Sequence, residues 1–175
     1  STFGDNYLGG NDIDQIMVDI IYEEFLRLSE GTIDLFDFTK DDGMSERDKK
    51  MAIVRMKQMA NHTKEKLSTT NSSKIVLAPF IQSPRIISIQ LEVSREAFYS
   101  HQRKYQLDDT DQIFEKMKDA SIIDLVGRTI SCIDKCIQGA SLHKDDIDEV
   151  FLVGGSSALT EVYTRIVDYF GKEPY

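Results

Sequence analysis

Residues 149–157 read Glu-Val-Phe-Leu-Val-Gly-Gly-Ser-Ser, and Leu159–Phe170 follows with apolar residues at helical spacing. The first five residues predict a buried strand, the next four a turn, and the remainder a closing helix. A strand that ends in paired glycines and opens a helix can seat an anion or a nucleotide. Glycine lets the backbone approach a ligand, and the free amides of a helix start point toward it. Such a turn also serves tight packing alone, and this stretch by itself leaves both roles open. The other end of the chain carries a second glycine pair, Leu8-Gly9-Gly10-Asn11-Asp12, at a second helix start. Two such turns can converge on one ligand from opposite sides.

Between the ends the chain alternates helices with a short β region. From Asp12, the residues Ile13, Ile16, Met17, Ile20, Phe25 and Leu28 predict a helix capped by Asn11 or Asp12 and ended by Gly31. Thr32–Met44 is acidic and aperiodic and reads as a connection between subdomains. Ser45 with Asp48 marks the start of a second helix, with Ala52, Met56, Met59, Thr63 and Leu67 on one face. Lys74–Ile81 and the alternating Ile87, Ile89, Leu91 and Val93 predict two strands in a hairpin. Ser94 caps a helix that begins at Arg95. Gln102 to about Ala120 is polar and charged. Its apolar residues Tyr105, Ile113, Phe114 and Met117 form a narrow stripe that must pack on the chain or await a partner helix. An amphipathic helix with Ile122, Leu125, Val126, Thr129, Ile133, Cys136 and Ile137 on one face follows. The expected class is an α/β mixture with a helical bias.

The 175 residues carry 30 acidic and 21 basic side chains, a net charge of -9. An acidic surface repels nucleic acid backbones and anionic membranes, so neither is an expected partner. The apolar runs are too short for a membrane span. Ser1 is not an initiator methionine, and no basic or apolar leader opens the chain, which therefore reads as a piece or a processed product. Cys132 and Cys136 lie one helical turn apart and fit two small apolar side chains on a buried face. Zinc would need two more ligands, and His62, His101 and His143 are scattered. The pairs Asp41-Asp42, Asp108-Asp109 and Asp145-Asp146 read as solvated acid runs rather than paired catalytic carboxylates. Ser156 and Ser157 have no base near them in sequence, so nucleophilic chemistry is not expected of them.

The end motifs carry a resemblance. STFGDNYLGGNDID, residues 1–14, resembles the STAGDTHLGGEDFD segment of DnaK-type chaperones, the seventy-kilodalton heat-shock protein family. EVFLVGGSSALTEVYTRIVDYFGKEP, residues 149–174, resembles that family's segment around VLVGGSTRIP. In between, ANHTKEKLS is similar to ERAKRTLS, and LEVSREAF to ITRARF.

The resemblance implies an actin-like ATPase fold of the ribonuclease H-like kind, of which this chain is the second lobe. Residues 1–35 and 120–175 would form its inner subdomain, and 36–119 its outer one, with an insertion near 102–120. It implies ATP or ADP as ligand, with magnesium in the full-length parent. Gly10 and Asp12 would lie near the phosphates, Lys64 and Ser68 near the ribose and adenine, and Gly154, Gly155 and Ser156 along the adenosine pocket. No catalytic or metal-ligating residue is expected in this chain. The family's first phosphate loop, catalytic lysine and glutamate, and DLGGGT loop have no counterpart here, so hydrolysis by this segment alone is not expected. The implied partners are a nucleotide-exchange factor on the outer subdomain, with a J-domain co-chaperone and unfolded clients through the parent, in the cytoplasm. Three departures weaken the clamp. Glu65 and Ala158 stand where the family has purine-stacking arginines, and Asn61 where it has a ribose-contacting glutamate. A degenerate chaperone-like regulator is therefore a second expectation. A sugar kinase on the same fold is a third, which the specific end motifs disfavour.

Overall fold

The first apolar repeat forms α1, Gly10–Ser29, in a computed structural model that describes residues 2–4, 9–106 and 114–175. Leu8, Asp108, Asp109 and Ile113, named above, lie outside the described residues. Helix α1 buries Ile13, Ile16, Met17, Val18, Ile21, Tyr22 and Phe25. A helix apolar around so much of its girth must be central, and elements pack on it from several sides. It ends where Glu30 and Gly31 turn left-handed at φ 54° and 66°, and the Gly31 amide reaches back to the Leu26 carbonyl at 2.9 Å. That closure satisfies a terminal carbonyl.

The connection after α1 is not a solvated linker. Ile33 and Leu35 are fully buried in the core. Asp34 Oδ1 accepts from the amides of Phe36 and Asp37 and from the Tyr22 hydroxyl. Asp42, expected in a solvated acid run, instead has a fully buried carboxylate paired with buried Lys49 at 2.7 Å. The Lys49 ammonium also donates to the carbonyls of Asp37 and Lys40. Burial alone would raise the Asp42 pKa, but Lys49 and the amides of Asp34 and Met44 outweigh it and hold the carboxyl below its ordinary value.

Helix α2, Glu46–Thr69, opens on Ser45, whose Oγ accepts from the Asp48 amide at 3.1 Å. Lys49, Ala52, Met56, Ala60, Thr63 and Leu67 are its buried positions, and Met59 is only partly covered. Strands β1, Ser72–Ile81, and β2, Ile87–Ser94, pair antiparallel as expected, with Ile75 opposite Leu91 and Leu77 opposite Ile89. Their inward residues lie on α1 and α2. Strand β2 runs directly into α3, Arg95–Ser100, where Ser94 Oγ accepts from the Ala97 amide.

The described parts of the 102–120 stretch, 102–106 and 114–120, pack on the chain. Arg103, Phe114, Met117 and Ala120 are buried, and Phe114–Met117 forms a single helical turn, α4. The Arg103 amide bonds to the Ala120 carbonyl and the Asp119 amide to the Arg103 carbonyl, so the two ends of the stretch are tied together.

Helix α5, Ile122–Gly139, begins in a reciprocal cap between Ser121 and Asp124. Its first turns bury Ile122, Leu125 and Val126. Further along, the same face opens onto an apolar groove of about 480 Å³, which Thr129, Cys132, Ile133 and Cys136 line. The cysteines, expected on a buried face, are therefore half-buried, and no disulfide joins them. The strand expected at 149–153 is also not formed. A buried strand needs neighbours on its edges and faces. Among the described residues, only the C-terminal residue pairs with it, through Leu152 to Tyr175 and Tyr175 to Val150, and Phe151 and Val153 stay exposed. The chain closes with a 3₁₀ turn, Gly155–Ala158, and α6, Thr160–Phe170, which packs on α5. Among the described residues, no helix is long and apolar enough to cross a membrane.

Candidate nucleotide site

Three ties bring the two glycine turns and the end of α2 to one junction. The first joins the turns to each other. A Cβ added to Gly10 would lie 3.1 Å from Ser156 Oγ, so the absence of a side chain permits the approach. The Gly9–Gly10 turn is held by Asp12, whose Oδ2 accepts from the Gly9 amide at 2.8 Å. Asp12 is buried in that cap. Its carboxylate thus shapes the helix start, where an acidic group is also favoured by the helix dipole.

The second tie joins α2 to α1. Lys64 Nζ lies 2.6 Å from Asp14 Oδ1, with both side chains mostly covered. Lys64 is thus a paired, largely covered charge rather than a solvated one. An ammonium has three donors, and one carboxylate oxygen leaves others for a ligand. The third tie joins α2 to α6. Ser68 Oγ donates to the Glu65 carbonyl within its own helix, while the Ser68 carbonyl accepts from Thr160 Oγ1 at 3.4 Å. Thr160 is steadied in turn by its amide, which donates to the Tyr99 hydroxyl.

Gly154 precedes the closing turn at φ 96° and ψ 154°, a conformation open essentially to glycine alone. Gly155 then opens the 3₁₀ turn, and the Ser157 hydroxyl closes it on the Gly154 carbonyl at 2.5 Å. The structure thus brings Gly10 to Ser156, Lys64 to Asp14 and Ser68 to Thr160, with Asp12 in the helix cap, while Gly154 and Gly155 are exposed and make none of these three contacts. Asp14, Thr160 and Tyr99 were not singled out from sequence. Asp14 stood inside the Asn11–Asp14 motif, but nothing local showed that α2 would reach it.

Two further residues that the resemblance singled out lie on the surface. Glu65 and Ala158 are both exposed, and neither offers a plane on which a purine can stack. Backbone amides at the glycine turns and the Lys64 ammonium are donors of the kind that suit oxygen acceptors. Among the described residues, no group of three or more histidine, cysteine or carboxylate side chains is placed to hold a metal ion. A family model described as Hsp70 protein matches the chain over residues 1–175.

Proposed function

The chain belongs to the Hsp70 protein family, whose members are chaperone-type ATPases that bind ATP or ADP with magnesium, and we propose that it is the adenosine-holding half of such an ATPase domain. The observation that carries this reading is the junction itself. Two glycine turns about 145 residues apart in sequence meet at Gly10 and Ser156, and Lys64 is fixed beside them by Asp14.

In this proposal the fold is the second lobe of an actin-like ATPase. Residues 1–35 and 120–175 form its inner subdomain and 36–119 its outer one. The open groove along α5 supports the lobe assignment, because an apolar face of that size fits coverage by the rest of a larger domain. The glycine amides would hold the nucleotide's polar end, and Lys64 and Ser68 would flank its sugar. The bound nucleotide would supply the energy of phosphoryl transfer to the parent chaperone, with magnesium neutralising the phosphates. Family members work with co-chaperones and clients. For this chain we propose an exchange factor on the outer subdomain, which α2 and the hairpin build.

A second reading, a chaperone-like regulator with weakened nucleotide binding, is favoured by the exposed Glu65 and Ala158. Calorimetry of the chain with ADP and ATP separates the two. Weak but saturable binding that Lys64→Ala abolishes supports the ATPase reading. Heats indistinguishable from dilution at millimolar nucleotide favour the regulator.

A further inference from the structure

Asp19 is a carboxyl group with no solvent exposure, on α1, with no part in the nucleotide junction. Its Oδ2 accepts two consecutive backbone amides from the strap that leaves α3, Lys104 at 2.5 Å and Tyr105 at 3.3 Å. Its other oxygen, Oδ1, is buried and has no hydrogen-bond partner among the described residues. An ionised carboxylate disperses its charge over both oxygens and needs donors on both. A buried oxygen without a donor costs a full negative charge more than it costs a neutral acid, so this burial favours the protonated form, against the two amides and Arg103, which favour the ionised one.

The strap is fastened around that point. Lys104 pairs with Glu23 at 2.6 Å, the Tyr105 ring meets the Tyr22 ring edge-on, and the Arg103–Ala120 and Asp119–Arg103 backbone bonds close the neck. We propose that Asp19 is a proton-controlled clasp, which fastens the 103–105 strap to α1 more tightly when its carboxyl is protonated and loosens it when it is ionised.

Desolvation raises the Asp19 carboxyl from 3.8 to about 7, against the opposing pull of the two amides and of Arg103. The sign follows. A group whose pKa is higher when docked takes up a proton on docking, so docking strengthens as pH falls through about 7 and the gain is lost as pH rises through it. The charged neighbours act differently. Tyr22 and Tyr105 are pushed above their ordinary value by burial, so they ionise far from this window. Glu23 and Lys104 are held to each other. His101 is the one opposing group, because burial lowers its pKa and its protonation therefore loosens the strap as pH falls.

The test is amide hydrogen exchange of the 175-residue chain at pH 8 and pH 5.5, corrected for intrinsic rates, under conditions where exchange follows the opening equilibrium. The variant His101→Gln removes the opposing titration, and hairpin amides serve as reference. Protection of the Lys104, Tyr105 and Asp119 amides should rise roughly thirtyfold from pH 8 to pH 5.5, as a shift from 3.8 to about 7 requires. Adding Asp19→Asn should leave that protection flat with pH. A flat profile in His101→Gln alone, or a pH dependence that survives Asp19→Asn, overturns the proposal. If the asparagine fails to hold the strap at either pH, carbon-detected titration of the Asp19 carboxyl decides. A midpoint near 7 supports the clasp, and one near 4 overturns it.

Discussion

Replacing Lys49 with methionine keeps the volume of its stem and removes only the ammonium. The pair it makes with Asp42 is as buried as any in the chain, with side chains 1% and 0% exposed. Loss of the ammonium leaves the Asp42 carboxylate with the Asp34 and Met44 amides as its remaining donors, and takes a donor from the Asp37 and Lys40 carbonyls. Breaking a buried pair by removing one partner costs about 3–5 kcal/mol, because the remaining charge is uncompensated. In a chain of this size that is roughly a 6–20 °C fall in Tm. Urea unfolding followed by circular dichroism measures it. Adding Asp42→Asn to Lys49→Met should recover part of the loss, since the asparagine oxygen still accepts both amides without a charge. A pH series checks the sign. Asp42 is held below 3.8, so its contribution is present above that value and lost as pH falls through its lowered pKa. Lys49→Met should therefore move the acid-unfolding limb to higher pH. A loss under about 1 kcal/mol, or a double variant whose loss is the sum of the singles, would refute the assignment of this pair as the lock of the 34–42 loop.

Restoring stacking planes with Glu65→Arg and Ala158→Arg should tighten ADP binding roughly tenfold, since a desolvated cation–π contact contributes on the order of 1–2 kcal/mol. An unchanged Kd in calorimetry would show that the purine lies elsewhere. Gly10→Ala should weaken ADP binding while leaving the fold intact, because its Cβ meets Ser156 Oγ at 3.1 Å, and Ser156→Gly should restore it. Failure of that rescue would separate the two turns functionally. Gly154→Ala should lower stability by roughly 1–3 kcal/mol, the usual strain of a side chain in such a backbone conformation, and a smaller loss in urea would show that the turn relaxes.

What the sequence made legible was local. Ser45 and Ser94 bond to amides three residues on, and β1 and β2 are joined by a short loop, so each pattern contains its own partners. The glycine turns were recognisable for the same reason. Burial that depends on distant neighbours was not legible. Glu149–Val153 has strand composition, but pairing groups must come from elsewhere in space, and among the described residues only Tyr175 supplies them. Asp42 looks solvated until Lys49, seven residues on, is folded over it. Asp19 was hidden because a helical pattern is read from apolar positions, and its partners lie 85 and 86 residues away. Lys64 could be named only by resemblance, since its partner Asp14 lies on another helix.

The central claim, that adenine nucleotides seat where α1, α2 and the Gly154–Ser157 turn meet, is tested most directly by ADP titration followed residue by residue in amide NMR spectra. The account predicts saturable shifts confined to Gly9–Gly10, Lys64–Ser68 and Gly154–Ser157, with the outer face of α2 at Arg47 and Met51 unmoved. Saturable shifts centred on that outer face, or none at the junction at millimolar ADP, would contradict it.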